Sequence, residues 1–143
     1  MEYNEGEIIN IMTEQRVQVV IADSGHEMLS KQLQINYGSK INIVDGTDDG
    51  SRIYGLVKEH RPDILLIDVF ITNVDGLEVV ELIREDEELD GTKIIFFTTV
   101  GSPRIINMAF NLGADYYIMK PCSFDILAKR IIQMAGNNDK VEL

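Results

Sequence analysis

Four polar residues each close an otherwise apolar run. Asp23 follows VQVVIA, Asp68 follows ILLI, Thr98 ends KIIFFT and Lys120 follows YYIM. A carboxylate can attack a phosphoryl group and form an acyl phosphate. Transfer needs positive charge on the phosphoryl oxygens, which a hard cation such as Mg²⁺ and a lysine can supply. A hydroxyl can then hydrogen-bond a phosphoryl oxygen. Taken singly, a strand-end aspartate often only caps the next helix, and a lysine often only extends its head to water. Four such residues at four run ends form a constellation. Within it Asp68 is the best-placed nucleophile, with Lys120 and Thr98 as partners.

The elements that must position them are regular. Apolar runs at 17–22, 41–44, 64–67, 94–97 and 116–119 are rich in Val, Ile, Phe and Tyr, as strands buried on both faces are. Helical spacing fills the gaps. Leu29 and Leu33 mark the first helix, and Ile53, Leu56 and Val57 the second. Leu77, Val80 and Ile83 mark the third, Ile105, Met108, Ala109 and Leu112 the fourth, and Leu127, Ile131 and Met134 the fifth. Asp75, Ser102 and Ser123 are predicted N-caps, with Pro103 at a first helical position. Gly113 is a predicted left-handed stop for the fourth helix, and Arg61-Pro62 stops the second.

Five strand–helix repeats predict right-handed βαβ units, hence a doubly wound, five-stranded parallel α/β sheet. Residues 1–16 read as a loose N-terminal extension, 17–135 as the domain, and 136–143 as a tail or the start of a linker. In such sheets ligands bind beyond the carboxyl ends of the strands, where the four polar residues fall.

Composition narrows the classes. The chain has 143 residues, 45% of them hydrophobic and 26% charged, which suits one ordinary globular domain. A net charge of −11 argues against direct nucleic-acid binding by this chain, since phosphate contacts need clustered Lys and Arg. No run is long enough to span a membrane, and the N-terminus lacks the order of a signal peptide. With a single cysteine, Cys122, there is no internal disulfide, so cytoplasmic residence is the expectation.

Over about residues 17 to 135 the chain resembles the receiver domains of two-component response regulators. The matching residues are Asp23 in IADSGHE, Asp68 in LLIDVFITNVDGLEV, Asp75-Gly76 in the same stretch, Thr98 in IIFFTTVG, and Lys120-Pro121 in GADYYIMKP. Within the family the wording looks most like receivers that govern sporulation in spore-forming Firmicutes. The resemblance implies a (βα)5, flavodoxin-like fold. It implies that Asp68 is phosphorylated by a histidine kinase or histidine phosphotransferase. It further implies that Asp23, Asp68 and the backbone carbonyl of Phe70 hold Mg²⁺, that Thr98 is the switch hydroxyl and that Tyr117 is the switch aromatic. The fourth helix, fifth strand and fifth helix are then the expected homodimer or output face. Turnover catalysis is not expected.

Two departures stand out. Ser24 occupies the place of a second acid that normally ligates the metal, so weaker Mg²⁺ binding is expected. Ile71-Thr72 replaces a usual Met-Pro, which alters loop stiffness and removes no reactive group. Phe70 and Val100 place apolar bulk two residues after Asp68 and Thr98, which should hinder an attacking water. Ser24 also supports an alternative, a pseudo-receiver that binds proteins without phosphorylation. Haloacid-dehalogenase-like phosphatases need a second aspartate where this chain has Phe70. A flavin protein lacks support in the loop after the first strand. His26, His60 and Cys122 read as structural or surface residues. Residues 45–50, DGTDDG, read as a polar turn rather than a calcium loop.

Overall fold

The computed structural model describes residues 2–136. Its elements in chain order are α1 (Glu5–Gln15), β1 (Val17–Ala22), α2 (His26–Tyr37), β2 (Ile41–Thr47), α3 (Gly50–His60), β3 (Ile64–Ile67) and α4 (Gly76–Arg84). A 3₁₀ turn (Glu87–Leu89) leads into β4 (Lys93–Thr98), α5 (Pro103–Leu112), β5 (Tyr116–Met119) and α6 (Phe124–Ala135). The strands form one parallel sheet in the order β2-β1-β3-β4-β5. This is the doubly wound α/β, flavodoxin-like arrangement that the alternation of periods predicts.

The sheet carries a core on each face. One side holds Val20, Ala22, Leu65, Ile67 and Phe96 against α3, α4 and α5. The other holds Val19, Ile21, Leu66, Ile95 and Phe97 against α2 and α6. Adjacent strand residues point to opposite faces, and both faces are covered. This is why the strands read as continuous apolar runs rather than alternating ones.

The expected caps form. Asp75, Ser102 and Ser123 accept from the backbone N–H groups of Glu78, Ile105 and Ile126, each worth about 1 kcal/mol. Gly113 ends α5 at φ 119°, a left-handed conformation that a Cβ disfavours. Arg61 closes α3 in the same region at φ 44°.

Three expectations need correction. The extension is not loose, because residues 5–15 form helix α1. Asn4 starts it with a reciprocal pair: its Oδ1 accepts from the Glu7 N–H at 2.7 Å, and its Nδ2 donates to Glu7 Oε1 at 2.6 Å. The first bond is an N-cap, and the second ties the two side chains to each other. The polar turn at 45–50 is also partly strand. β2 runs on to Thr47, with a bulge where Val19 pairs Ile43 and Val20 pairs Asp45. Lastly, α5 is covered less fully than its periodicity suggests, with Ala109 its one buried residue. The tail expected at 136–143 lies outside the described residues except for Gly136, the C-cap of α6.

A polar cluster ties α3 to the turn after α4. Asp86 Oδ2 accepts from Tyr54 Oη at 2.6 Å and from Lys58 Nζ at 2.7 Å. The Lys58 ammonium, then the Tyr54 hydroxyl, lower the Asp86 pKa from 3.8 to about 2. A carboxylate depressed in this way adds stability above its unfolded pKa and loses it as pH falls through the folded one. Asp86→Asn should therefore lower Tm at neutral pH. It should also flatten the fall in Tm between about pH 4 and about pH 2, as calorimetry across that window would read.

Candidate functional site

The sheet order reverses direction between β1 and β3, and it is there that a doubly wound fold opens a crevice. The register aligns the strand ends along this edge. Ala22 pairs Ile67, Ile67 pairs Phe96, and Thr98 pairs Met119. The backbone carries the alignment one residue further. Asp68 N–H donates to the Ala22 carbonyl at 3.0 Å, and Lys120 N–H donates to the Thr98 carbonyl at 2.8 Å.

Asp23 and Asp68 are thereby buried side by side around one ammonium. Lys120 Nζ donates to Asp23 Oδ2 at 2.8 Å and to Asp68 Oδ2 at 2.9 Å. The carboxylate side chains are 5% and 12% exposed, the lysine 23%. Their second oxygens are also engaged. Asp23 Oδ1 accepts from the Gly25 N–H at 2.7 Å, and Asp68 Oδ1 from the Phe70 N–H at 3.1 Å. Lys120 further lies 5.1 Å from the centroid of the Phe97 ring, a cation–π distance. Burial by itself would lower the Lys120 pKa, but the hydrogen bonds to Asp23 and Asp68 outweigh it and raise the pKa. The lysine stays charged.

Thr98 is fully buried at the end of β4. Its Oγ1 accepts from the Val100 N–H at 3.3 Å. Tyr117, half-buried on β5, donates its hydroxyl to the Val100 carbonyl at 2.5 Å and packs its ring 5.8 Å from that of Phe96. Burial, and secondly the charge of Asp68, raise the Tyr117 pKa. One residue, Val100, thus links both expected switch side chains. Ser24 stands exposed just past Asp23, and Phe70 is 70% exposed.

The structure therefore brings Asp23, Asp68 and Lys120 into direct contact, with Thr98 and Tyr117 joined through the loop after β4. Three contributions were not anticipated: the Gly25 amide, the Phe97 ring, and the backbone of Val100, a residue expected there only as apolar bulk. The first was detectable, because an aspartate two residues before a glycine is the signature of an Asx turn. The others depend on strand register.

Charge sets what the crevice can hold. Two carboxylates against one ammonium leave a net negative charge. Among the described residues no group of three or more His, Cys, Asp or Glu side chains is arranged for a metal. Mg²⁺ keeps several waters and needs one or two carboxylates, so Asp23, Asp68 and a carbonyl fit it as a hydrated ion. His26, His60 and Cys122 take no part in this cluster. His60 Nε2 lies 3.2 Å from Asp45 Oδ2, and Cys122 is partly buried.

Comparison with known proteins agrees with this geometry. A family model described as the response regulator receiver domain matches residues 19–132. The NarL signal receiver domain of Mycobacterium tuberculosis superposes with a TM-score of 0.77 at 27% identity, over 87% of this chain and 99% of that one. A LuxR-family DNA-binding response regulator from Staphylococcus aureus gives a TM-score of 0.75 at 24% identity, over 83% and 98%. The response regulator domain of Thermotoga maritima CheB gives 0.72 at 22%, over 87% and 99%. The latter two carry the fold alone. The matches do not support the closer likeness to sporulation receivers.

Proposed function

The chain belongs to the response regulator receiver domain family, and from that premise we propose that Asp68 accepts a phosphoryl group from a histidine kinase or histidine phosphotransferase. The observation that carries this reading is the Lys120 ammonium held between two buried carboxylates at the switch point of the sheet. Asp68 Oδ2 is the proposed nucleophile, and Lys120 balances charge on the incoming phosphoryl oxygens. Asp23, Asp68 and the Phe70 carbonyl would hold Mg²⁺, which when bound shields the same oxygens. Thr98 would supply the hydroxyl that bonds the phosphoryl group, giving up its present bond to Val100.

Because Tyr117 is bonded to the carbonyl of that same Val100, movement of Thr98 would be felt at β5. The surface beyond it, formed by α5, β5 and α6, exposes Phe110, Met119 and Ile126. This is the proposed output or homodimer surface. Transcriptional output, and sporulation in particular, is a narrower proposal that rests on sequence wording. The described residues contain no helix long and apolar enough to cross a membrane.

Incubation with acetyl phosphate and Mg²⁺ should add about 80 Da to the intact mass. Asp68→Asn should abolish that adduct. A wild-type protein that gains no mass under these conditions would favour the phosphorylation-independent module to which Ser24 points.

A further inference from the structure

The loop between β3 and α4, residues 68–75, carries both Asp68 and the Phe70 peptide. Its tip has little apolar anchorage. Phe70, Thr72 and Asn73 are exposed, while Ile71 and Val74 pack only partly against the core. What holds the tip is the segment after β2. Asn73 Nδ2 donates to Asp49 Oδ1 at 2.9 Å, and the Gly50 N–H donates to the Thr72 carbonyl at 2.8 Å. Asp49 and Thr72 also form an isolated parallel bridge. The two backbones touch so closely that a Cβ on Gly50 would stand 1.9 Å from the Val74 carbonyl oxygen.

Asp49 is itself fixed. Its Oδ1 accepts from the Ser51 N–H at 2.9 Å and the Ser51 hydroxyl at 2.7 Å while capping α3. Asn73 sits at φ 71°, a left-handed conformation that asparagine tolerates better than most residues. Its amide is thereby presented to Asp49. The Asn73 bond, then those from Ser51, keep the Asp49 carboxylate below its ordinary range, so it is ionised at neutral pH.

We propose that Asp49 and Asn73 are positioning residues that clamp the phosphoacceptor loop and so fix the Phe70 peptide beside Asp68. The inference rests on the reading of Asp68 as the acceptor. The chain of contacts is short. Asn73 holds the loop tip, the tip fixes the path back to Phe70, and the Phe70 N–H donates to Asp68 Oδ1. A loosened clamp frees that N–H and displaces the carbonyl proposed to face the cation.

Asn73→Gly keeps the left-handed backbone and removes only the amide. Asp49→Asn keeps an oxygen acceptor and serves as the conservative variant. Amide hydrogen exchange at Phe70 should quicken about tenfold in Asn73→Gly, with the strands unchanged, and stay near wild type in Asp49→Asn. With acetyl phosphate, the Mg²⁺ concentration for half-maximal adduct formation should rise several-fold in Asn73→Gly, and the saturated rate should change little. Unchanged exchange at Phe70, or faster exchange spread evenly across the domain, would overturn the clamp. Absence of any adduct from wild type would instead fail the acceptor reading, leaving exchange at Phe70 to decide the clamp.

Discussion

Lys120→Met should cut acyl phosphate formation at Asp68 at least about a hundredfold, the usual scale for deleting one preorganised charge at a reacting oxygen. The ammonium lies within 3 Å of both carboxylates, at 2.8 and 2.9 Å. Without it, two buried carboxylates face each other with no cation between them, and negative charge on the incoming phosphoryl oxygens goes uncompensated. The variant should also lose on the order of 2 kcal/mol of stability at neutral pH, below the value for a fully buried broken pair because the site opens to water. Methionine keeps most of the apolar stem, so the loss reports charge rather than packing. Chemical denaturation at neutral pH, alongside acetyl phosphate kinetics, checks both effects. Wild-type rates in the variant would remove Lys120 from the mechanism.

Ser24→Asp should have the opposite sign. It places a third carboxylate at the exposed edge of the crevice, next to buried Asp23. A further acid at this edge should tighten Mg²⁺ by about tenfold, equivalent to about 1.4 kcal/mol. That is a fraction of the several kcal/mol that Coulomb's law allows for adjacent charges near a protein surface. The same acid adds repulsion when no cation is bound, so the metal-free variant should melt lower than wild type and recover on adding Mg²⁺. Thermal melts across a Mg²⁺ titration read both shifts together. If the variant and wild type respond alike, the cation is not held at the Asp23 edge, and the assignment of Asp23 fails with it.

Most of the scaffold was legible because its signals are local. The runs at 17–22, 64–67 and 116–119 coincide with β1, β3 and β5, since strands packed under helices are dominated by apolar residues. Caps at Asp75, Ser102 and Ser123 were readable because a side-chain oxygen and a following helix suffice. Helix α1 was not legible although its Asn4 cap is as local as the others, because its residues are largely polar and its apolar period is weak. The reach of β2 through Asp45 and Gly46 was unreadable for another reason. Its bulge exists only against β1, and composition there favours a turn.

By itself, then, the sequence determined which residues could do the chemistry and which elements end on them, because residue type and period act within a few positions of chain. It also placed the departure at Ser24, which no fold can return to an acid. Tertiary structure alone decided that Asp23, Asp68 and Lys120 share their hydrogen bonds while Thr98 and Tyr117 meet at Val100. It alone joined Asp49 to Asn73. Those pairings cross 97, 52 and 24 positions of chain for Lys120–Asp23, Lys120–Asp68 and Asn73–Asp49. Strand order and register are what bring such distant groups within hydrogen-bond reach, and both are properties of the assembled sheet rather than of any segment.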